Sequence, residues 1–239
     1  MAAQQPARDP QAAAVLTRAV AAMGGSGIAQ MRDCRAEGVI QAAEGSWLSS
    51  GAFVWKNAGA EFRYENQGKA GPSVFVSGQG RPAVLASGKT TKFNAHVSEA
   101  NFPQHLAALV LFRALSDPRY KLVWIGLEPF GTGQLAHVRI SLEIDEVTSV
   151  TTVQDWYFDP ASGLPLRVEY RLPANSNALS FLNAAVEFSD FRMVSGVAVP
   201  FQIMLYEEGQ KVGVAKLNSV VFNAGLSPSE FHTPAGGVQ

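Results

Sequence analysis

Apolar and polar residues alternate along most of this chain, and a period of two is typical of half-buried antiparallel strands. The clearest alternation is at 166–172, where Arg167, Glu169 and Arg171 share one face and apolar side chains share the other. The segment 159–163 precedes it, with Asp-Pro to open a turn and Gly to supply the positive φ that closes it. The pattern therefore predicts a tight hairpin.

Similar segments, separated by Gly, Asn and Ser, predict an antiparallel meander of about eleven strands. The remaining predicted strands are 35–41, 46–56, 60–66, 72–77, 82–87, 120–130, 135–144, 184–193, 199–207 and 212–222.

Two stretches follow a helical spacing instead. The first is Pro10–Met23, which Gly24-Gly25 ends. The second is Asn101–Leu115, which opens with a capping box and is apolar on nearly every side over Leu106–Phe112. At about 21 Å it is too short to span a membrane. Because it is apolar on nearly every side, we expect it to be buried against the concave side of the sheet. It is there either as a core plug or as a lid over an apolar cavity.

Aromatic side chains concentrate in the early strands. Trp47, Phe53 and Trp55 fall on one face of a predicted strand, and Phe62 and Tyr64 share a face of the next. Such a cluster is either ordinary core packing or the wall of an apolar pocket, since ligand pockets are lined by aromatics with few polar groups.

Length and composition narrow the function classes. The 239 residues show no linker, so we expect a single domain over 1–239, with residues 1–9 as a flexible tail. The net charge of −1, with acids and bases mixed, argues against a nucleic-acid partner. No run of 18 apolar residues exists to span a bilayer. The first residues resemble a mature exported chain with a start Met added, which predicts a removed signal peptide and a periplasmic or otherwise exported location.

Motifs for catalysis or metal binding are missing, so neither a cofactor nor a metal is expected. The four histidines are scattered, and His137 falls on a polar strand face, which predicts solvent exposure. The single Cys34 fits a small buried side chain. Two G-x-G-x-x-A stretches, 78–83 and 131–136, lie between strands and are interpreted as turns. Adjacent carboxylates point to opposite strand faces, although a strand-borne pair brought together by folding, as in a hydrolase, stays possible.

The order of elements and three segments resemble a known family. The segments are 157–167, Gly196–Phe201 and Phe222–Leu226, and the resemblance extends from about Pro10 to Phe231. The chain resembles the LolA/LolB-like superfamily of outer-membrane lipoprotein-sorting proteins. This implies a mainly β (α+β) fold, a single unclosed barrel of about eleven antiparallel strands wrapped over an N-terminal helix and the mid-chain apolar helix. It also implies an exported protein that shelters lipid or lipoprotein acyl chains.

The resulting main hypothesis is a non-enzymatic, exported lipid- or lipoprotein-binding carrier whose partner is a lipid or an acylated protein. The alternative is a cell-envelope interaction or sensor module with the same fold, which binds a protein and no small ligand. In the carrier, the predicted cavity residues are Trp47, Phe53, Trp55, Phe62 and Trp124, and the predicted lid residues are Leu106, Leu109, Val110 and Phe112.

Overall fold

Thirteen antiparallel strands form one continuous sheet, and the two end strands, β6 and β7, do not pair with each other. The strand order is β6-β5-β4-β3-β2-β1-β13-β12-β11-β10-β9-β8-β7. The mainly β, unclosed antiparallel architecture is thus confirmed, with thirteen strands where about eleven were predicted. The computed structural model describes residues 6–46, 48–69, 71–77, 82–92, 106–173 and 181–232.

The strands are short in the first half of the chain and longer in the second. They are β1 Asp33–Ala42, β2 Gly51–Ala58, β3 Glu61–Gly68, β4 Gly71–Ser77, β5 Ala83–Ala86, β6 Lys89–Lys92, β7 Tyr120–Phe130, β8 Gly133–Leu142, β9 Gln154–Phe158, β10 Pro165–Pro173, β11 Phe181–Val194, β12 Val197–Glu207 and β13 Gln210–Phe222. The α-helices are α1 Pro10–Ala22, α2 Ser26–Ala29, α3 Ala107–Ser116 and α4 Glu146–Thr151, and a 3₁₀-helix covers Pro228–Phe231.

Local capping explains α1 and the predicted hairpin. The Asp9 side chain accepts hydrogen bonds from the first turn of α1, and the amides of Gly24 and Gly25 return to carbonyls of its last turn. In the hairpin, the carboxylate of Asp159 accepts from the amides of Ala161 and Ser162, at 3.0 Å each. Both elements therefore form as their sequences predict.

Two elements differ from the prediction. β6 consists of Lys and Thr alone, so no apolar alternation marks it. The predicted strand at 135–144 stops at Leu142, and α4 follows it. Asp145 begins this helix with a capping box, accepting from the Thr148 amide at 2.7 Å while the Thr148 hydroxyl accepts from the Asp145 amide at 2.9 Å.

The predicted flexible tail is wrong for residues 7–9. Leu122 of edge strand β7 donates to the Ala7 carbonyl and accepts from the Asp9 amide, so this segment extends the sheet. The Arg8 guanidinium donates to the carbonyls of Ala114 and Leu115 in the last turn of α3. A basic side chain at these unpaired carbonyls stabilises the helix end. The N-terminal segment therefore fixes the C-terminal end of α3.

Two helices, α1 and α3, pack against each other and against the sheet. α1 packs on β7 and β8, and α3 packs on α1, α2 and β12. The buried residues of α3 include Ala107, Val110, Leu111 and Ala114. The prediction that this helix is buried on more than one side is confirmed, although its predicted start at 101–105 lies outside the described residues.

Candidate functional site

A pocket of about 50 Å³ lies between the first turn of α3 and the sheet, with room for a few water-sized groups. Most of its lining is apolar, contributed by the start of β1, the end of β2, the start of β12 and the end of β13. The lining residues are Met31, Arg32, Asp33, Cys34, Asn57, Gly59, Leu106, Ala107, Ala108, Leu109, Val197, Ala198, Val199, Pro200 and Phe222.

The two ends of α3 are held differently. Arg8 binds the carbonyls at its C-terminal end at 2.6 to 3.2 Å. At the other end, Leu106 is the N-cap residue, and its side chain makes no capping hydrogen bond. Loss of a side-chain cap typically costs about 1 kcal/mol of helix stability. Among the described residues, the C-terminal end of α3 is therefore the one held by side-chain hydrogen bonds.

Three polar groups of the pocket are already satisfied or neutral. The Asp33 carboxylate accepts from the amides of Ala224, Gly225 and Leu226 at 2.5, 3.1 and 3.2 Å. The Asn57 side chain donates to the Glu61 carbonyl at 2.8 Å. Burial, with a smaller contribution from nearby Asp33, raises the pKa of Cys34 to about 12, so the thiol is neutral near pH 7.

Two of the four predicted lid residues line the pocket. Leu106 and Leu109 are half-buried and form part of its wall. Val110 is buried, and Phe112 packs against the core from a half-buried position. The structure thus brings the predicted lid helix to an apolar pocket, while a lid role for these four residues stays a prediction.

The predicted cavity residues do not line this pocket. Phe53 and Trp55 are buried in the core with their ring centroids 4.4 Å apart, and Phe62 packs against Phe75 at 6.2 Å. Trp124 of β7 is half-buried against the core. Trp47 lies outside the described residues. Contact of these residues with a ligand stays a prediction.

A polar pair among the inward aromatics was missed by sequence analysis. The Asn66 amide nitrogen donates to the Ser49 carbonyl at 3.0 Å and to the Tyr64 hydroxyl at 2.8 Å. Because a carbonyl can only accept, this geometry fixes the amide orientation and leaves Asn66 Oδ1 buried with no hydrogen-bond partner among the described residues. Burial raises the pKa of Tyr64, so its hydroxyl stays protonated near pH 7. Period-two alternation places these side chains inward but does not show what they contact.

The predicted solvent exposure of His137 is wrong. Its ring is 5% exposed, its Nδ1 lies 2.7 Å from Glu128 Oε1, and its Nε2 lies 2.8 Å from Asp155 Oδ1. The ring also stacks on Tyr157 at 4.4 Å. The strand face is polar as expected, but its neighbours from β7 and β9 cover this side chain.

The acidic side chains considered as possible catalytic pairs make local structural contacts. Of the two adjacent carboxylate pairs, Asp145 caps α4, and Glu208 accepts from the amide and side chain of Asn183 in a turn. Among the residues described, no group of three or more His, Cys, Asp or Glu side chains could hold a metal ion. In the same part of the chain, no helix has the length and apolar character needed to cross a membrane. The G-x-G-x-x-A stretch at 131–136 begins in the β7–β8 turn, as predicted, and continues into β8. The stretch at 78–83 lies largely outside the described residues.

Comparison with known proteins finds matches among solved structures. No protein-family model matches the chain, and no curated protein matches it. An outer membrane lipoprotein-sorting protein domain from Vibrio parahaemolyticus superposes with a TM-score of 0.56 at 14% identity, covering 92% of this chain and 95% of the other. A LolA superfamily protein from Nitrosomonas europaea gives 0.57 at 11% identity, covering 93% and 97%. A DUF1329 family protein from Desulfovibrio piger gives 0.57 at 14%, covering 94% and 98%. The resemblance seen in the sequence is confirmed at the level of the fold, which this chain shares with these three structures.

Proposed function

We propose that this protein is an exported carrier that shelters an acyl chain between α3 and the concave face of the sheet, without catalysing a reaction. The position of α3 carries the proposal. Its first turn forms one wall of an apolar pocket, while Arg8 fixes its other end. The helix can therefore pivot about its C-terminal end and enlarge the pocket without leaving the fold.

Energetics support an apolar ligand. A pocket of about 50 Å³ is smaller than a long acyl chain, so binding requires the first turn of α3 to move outward. Burial of each CH₂ contributes about 0.8 kcal/mol, so a chain of many methylenes offsets the cost of this movement. The lining residues Leu106, Leu109 and Val199 supply the apolar surface that such a chain would contact.

Native mass spectrometry of the protein purified from the cell envelope of its host tests the proposal. We expect an added mass that matches a lipid or an acylated peptide and that disappears after denaturation and organic extraction. A mass equal to that of the polypeptide alone, together with no uptake of a fluorescent acyl probe, contradicts the carrier function.

A pocket-filling variant locates the site. Leu109→Trp places a larger side chain at the half-buried pocket wall, and we expect at least about ten-fold weaker binding of an acyl probe. Val147→Trp is the matched control, because Val147 is exposed on α4 and does not line the pocket. Equal affinities for both variants would place the ligand elsewhere.

A second candidate function rests on α4. Val147 and Val150 of α4 are 44% and 49% exposed, and residues three apart on a helix share a face. Ile144, which precedes the helix, is 52% exposed. This small apolar ridge fits the alternative of an envelope module that binds a protein partner. Loss of a co-purifying partner in Val147→Asp, with acyl-probe binding absent in the unchanged protein, would favour it over the carrier.

A further inference from the structure

We infer that the carried molecule is an amphiphile with an anionic head group, and that Arg32 at the edge of the pocket binds that group. The inference rests on the proposed carrier function and adds the charge of the ligand. It follows from the two charged side chains at the pocket. The Asp33 carboxylate has hydrogen-bond partners, whereas the Arg32 guanidinium has none in the described part of the chain.

Arg32 is the basic residue of the pocket lining, and its side chain is exposed. Its backbone amide donates to Asn223 Oδ1 at 2.8 Å, but within the described part of the chain its guanidinium makes no hydrogen bond or ion pair. Most other described arginines have an acceptor, such as Glu37 for Arg35 and Asp117 for Arg119.

The acidic neighbour of Arg32 does not neutralise it. Both oxygens of the Asp33 carboxylate accept from backbone amides of residues 224–226. These amides orient the carboxylate toward the turn after β13 and stabilise its charge. The remaining titratable side chain of the pocket, the Cys34 thiol, is buried. The pocket edge is therefore left with one unpaired positive charge beside an apolar cavity.

This combination matches a specific ligand chemistry. An alkyl chain fits the apolar lining, and a guanidinium forms two parallel hydrogen bonds with a carboxylate or a phosphate. Either a free fatty acid or an anionic lipid supplies that head group. A neutral lipid of the same chain length fits the lining equally well but leaves Arg32 without a partner.

The test measures the affinities of two fluorescent probes, 11-(dansylamino)undecanoic acid and its methyl ester, at pH 8. The probes share a chain and differ in head-group charge. We expect the acid to bind about five-fold more tightly than the ester in 0.15 M salt, as for a solvent-accessible ion pair, and the preference to shrink in 1 M salt. Lysophosphatidate and monoacylglycerol, used as competitors, show whether a phosphate is preferred to a carboxylate.

Two variants assign the preference to one residue. Arg32→Gln should bind both probes with the affinity of the ester. Arg171→Gln is the matched control, since Arg171 is also exposed and its guanidinium has no acceptor in the described part of the chain, yet it lies on β10 away from the pocket. It should keep the five-fold preference.

The outcomes separate this inference from the carrier function. Equal binding of acid and ester by the unchanged protein overturns the anionic head group and leaves the carrier standing. A preference that persists in Arg32→Gln overturns the role of Arg32. Binding of neither probe overturns the carrier function and this inference with it.

Discussion

The sheet has two halves that bury their concave faces in different ways. In the helix-covered half, β7–β12, α1 and α3 lie over the strands, and Trp156, Val168 and Ile203 are fully buried. Trp156 stacks with Phe188 at 6.0 Å and an interplanar angle of 8°. This half has the dense packing of an ordinary protein core.

In the aromatic half, β2–β6, the inward rings cover one another. Phe53, Trp55 and Tyr64 are tilted by about 40° with centroids 4.4 to 6.4 Å apart. The polar side chains of Asn57 and Asn66 face inward among them. Asn66 Oδ1 has no partner in the part of the chain that the structure describes, and a buried acceptor left so typically costs about 1–3 kcal/mol of free energy. One half is therefore stabilised by helices packed on its strands, and the other by aromatic rings packed on one another beside two buried amide side chains.

The largest expected difference comes from removing one tryptophan in each half. Trp156→Ala should lower the free energy of unfolding by about 3–5 kcal/mol, because a fully buried indole is lost and Gln154 Oε1 loses its 2.9 Å donor. Trp55→Ala should cost about 1 kcal/mol less, since its neighbouring rings can partly fill the space. Urea unfolding of both variants measures this. Equal losses would show that the two halves are packed alike.

Adding a methyl group at Gly68 tests how closely the loop before β2 packs against the end of the aromatic half. A Cβ at Gly68 would lie 2.2 Å from Ser49 Oγ and 2.4 Å from Ser49 Cβ, so Gly68→Ala must displace the loop before β2. We expect a loss of about 1–3 kcal/mol in thermal or urea unfolding. Gly133→Ala is the control, because its nearest neighbour would be the Phe130 carbonyl at 3.9 Å. A neutral Gly68→Ala would mean that the loop does not close this end.

Cys34 lies on β1, at the boundary between the two halves, and its burial makes the stability of the protein depend on pH. Burial raises its pKa from 9.0 to about 12, so between these values the folded thiol keeps a proton that the unfolded thiol loses. Stability from this group is complete below pH 9 and falls as pH rises, by about 1.4 kcal/mol between pH 8 and pH 10. Unfolding curves of Cys34→Ala should lack that part of the decline.

Alkylation of Cys34 measures the burial of its thiol directly. Folded protein should resist iodoacetamide at pH 8, whereas protein unfolded in urea should react, as mass spectrometry would show. Rapid labelling of the folded protein would mean that the pocket end of the barrel opens readily.

The smallest effect concerns the hairpin turn of the helix-covered half. Asp159→Ala removes the acceptor for the amides of Ala161 and Ser162, with an expected loss of about 1 kcal/mol at pH 7. Hydrogen bonding, first from the Ser162 hydroxyl, lowers the pKa of Asp159. The contribution should therefore be lost as pH falls through that pKa, so the difference from the unchanged protein should shrink in acid. Asp159→Asn, which keeps one acceptor, should lose less.

Much of the fold could be predicted because its signals are local. The Asp159–Gly163 turn, the glycine end of α1 and the period-two strands each depend on residues within one element. The apolar stretch of α3 likewise predicted burial. The candidate site was predicted in part: sequence pointed to Leu106 and Leu109, which line the pocket, but its aromatic residues Phe53, Trp55 and Phe62 lie elsewhere.

The sequence by itself determined the strand alternation, the main turns and the apolar character of α3, because these depend on backbone preferences and the spacing of neighbouring residues. Tertiary structure alone decided that Arg8 holds the end of α3 and that His137 is enclosed between Glu128 and Asp155. It also decided that Asp33 has hydrogen-bond partners, whereas the Arg32 guanidinium has none among the described residues. Each of these depends on partners from distant segments. The sequence shows which side chains are charged. The partners of those charges are decided only when folding brings distant strands together.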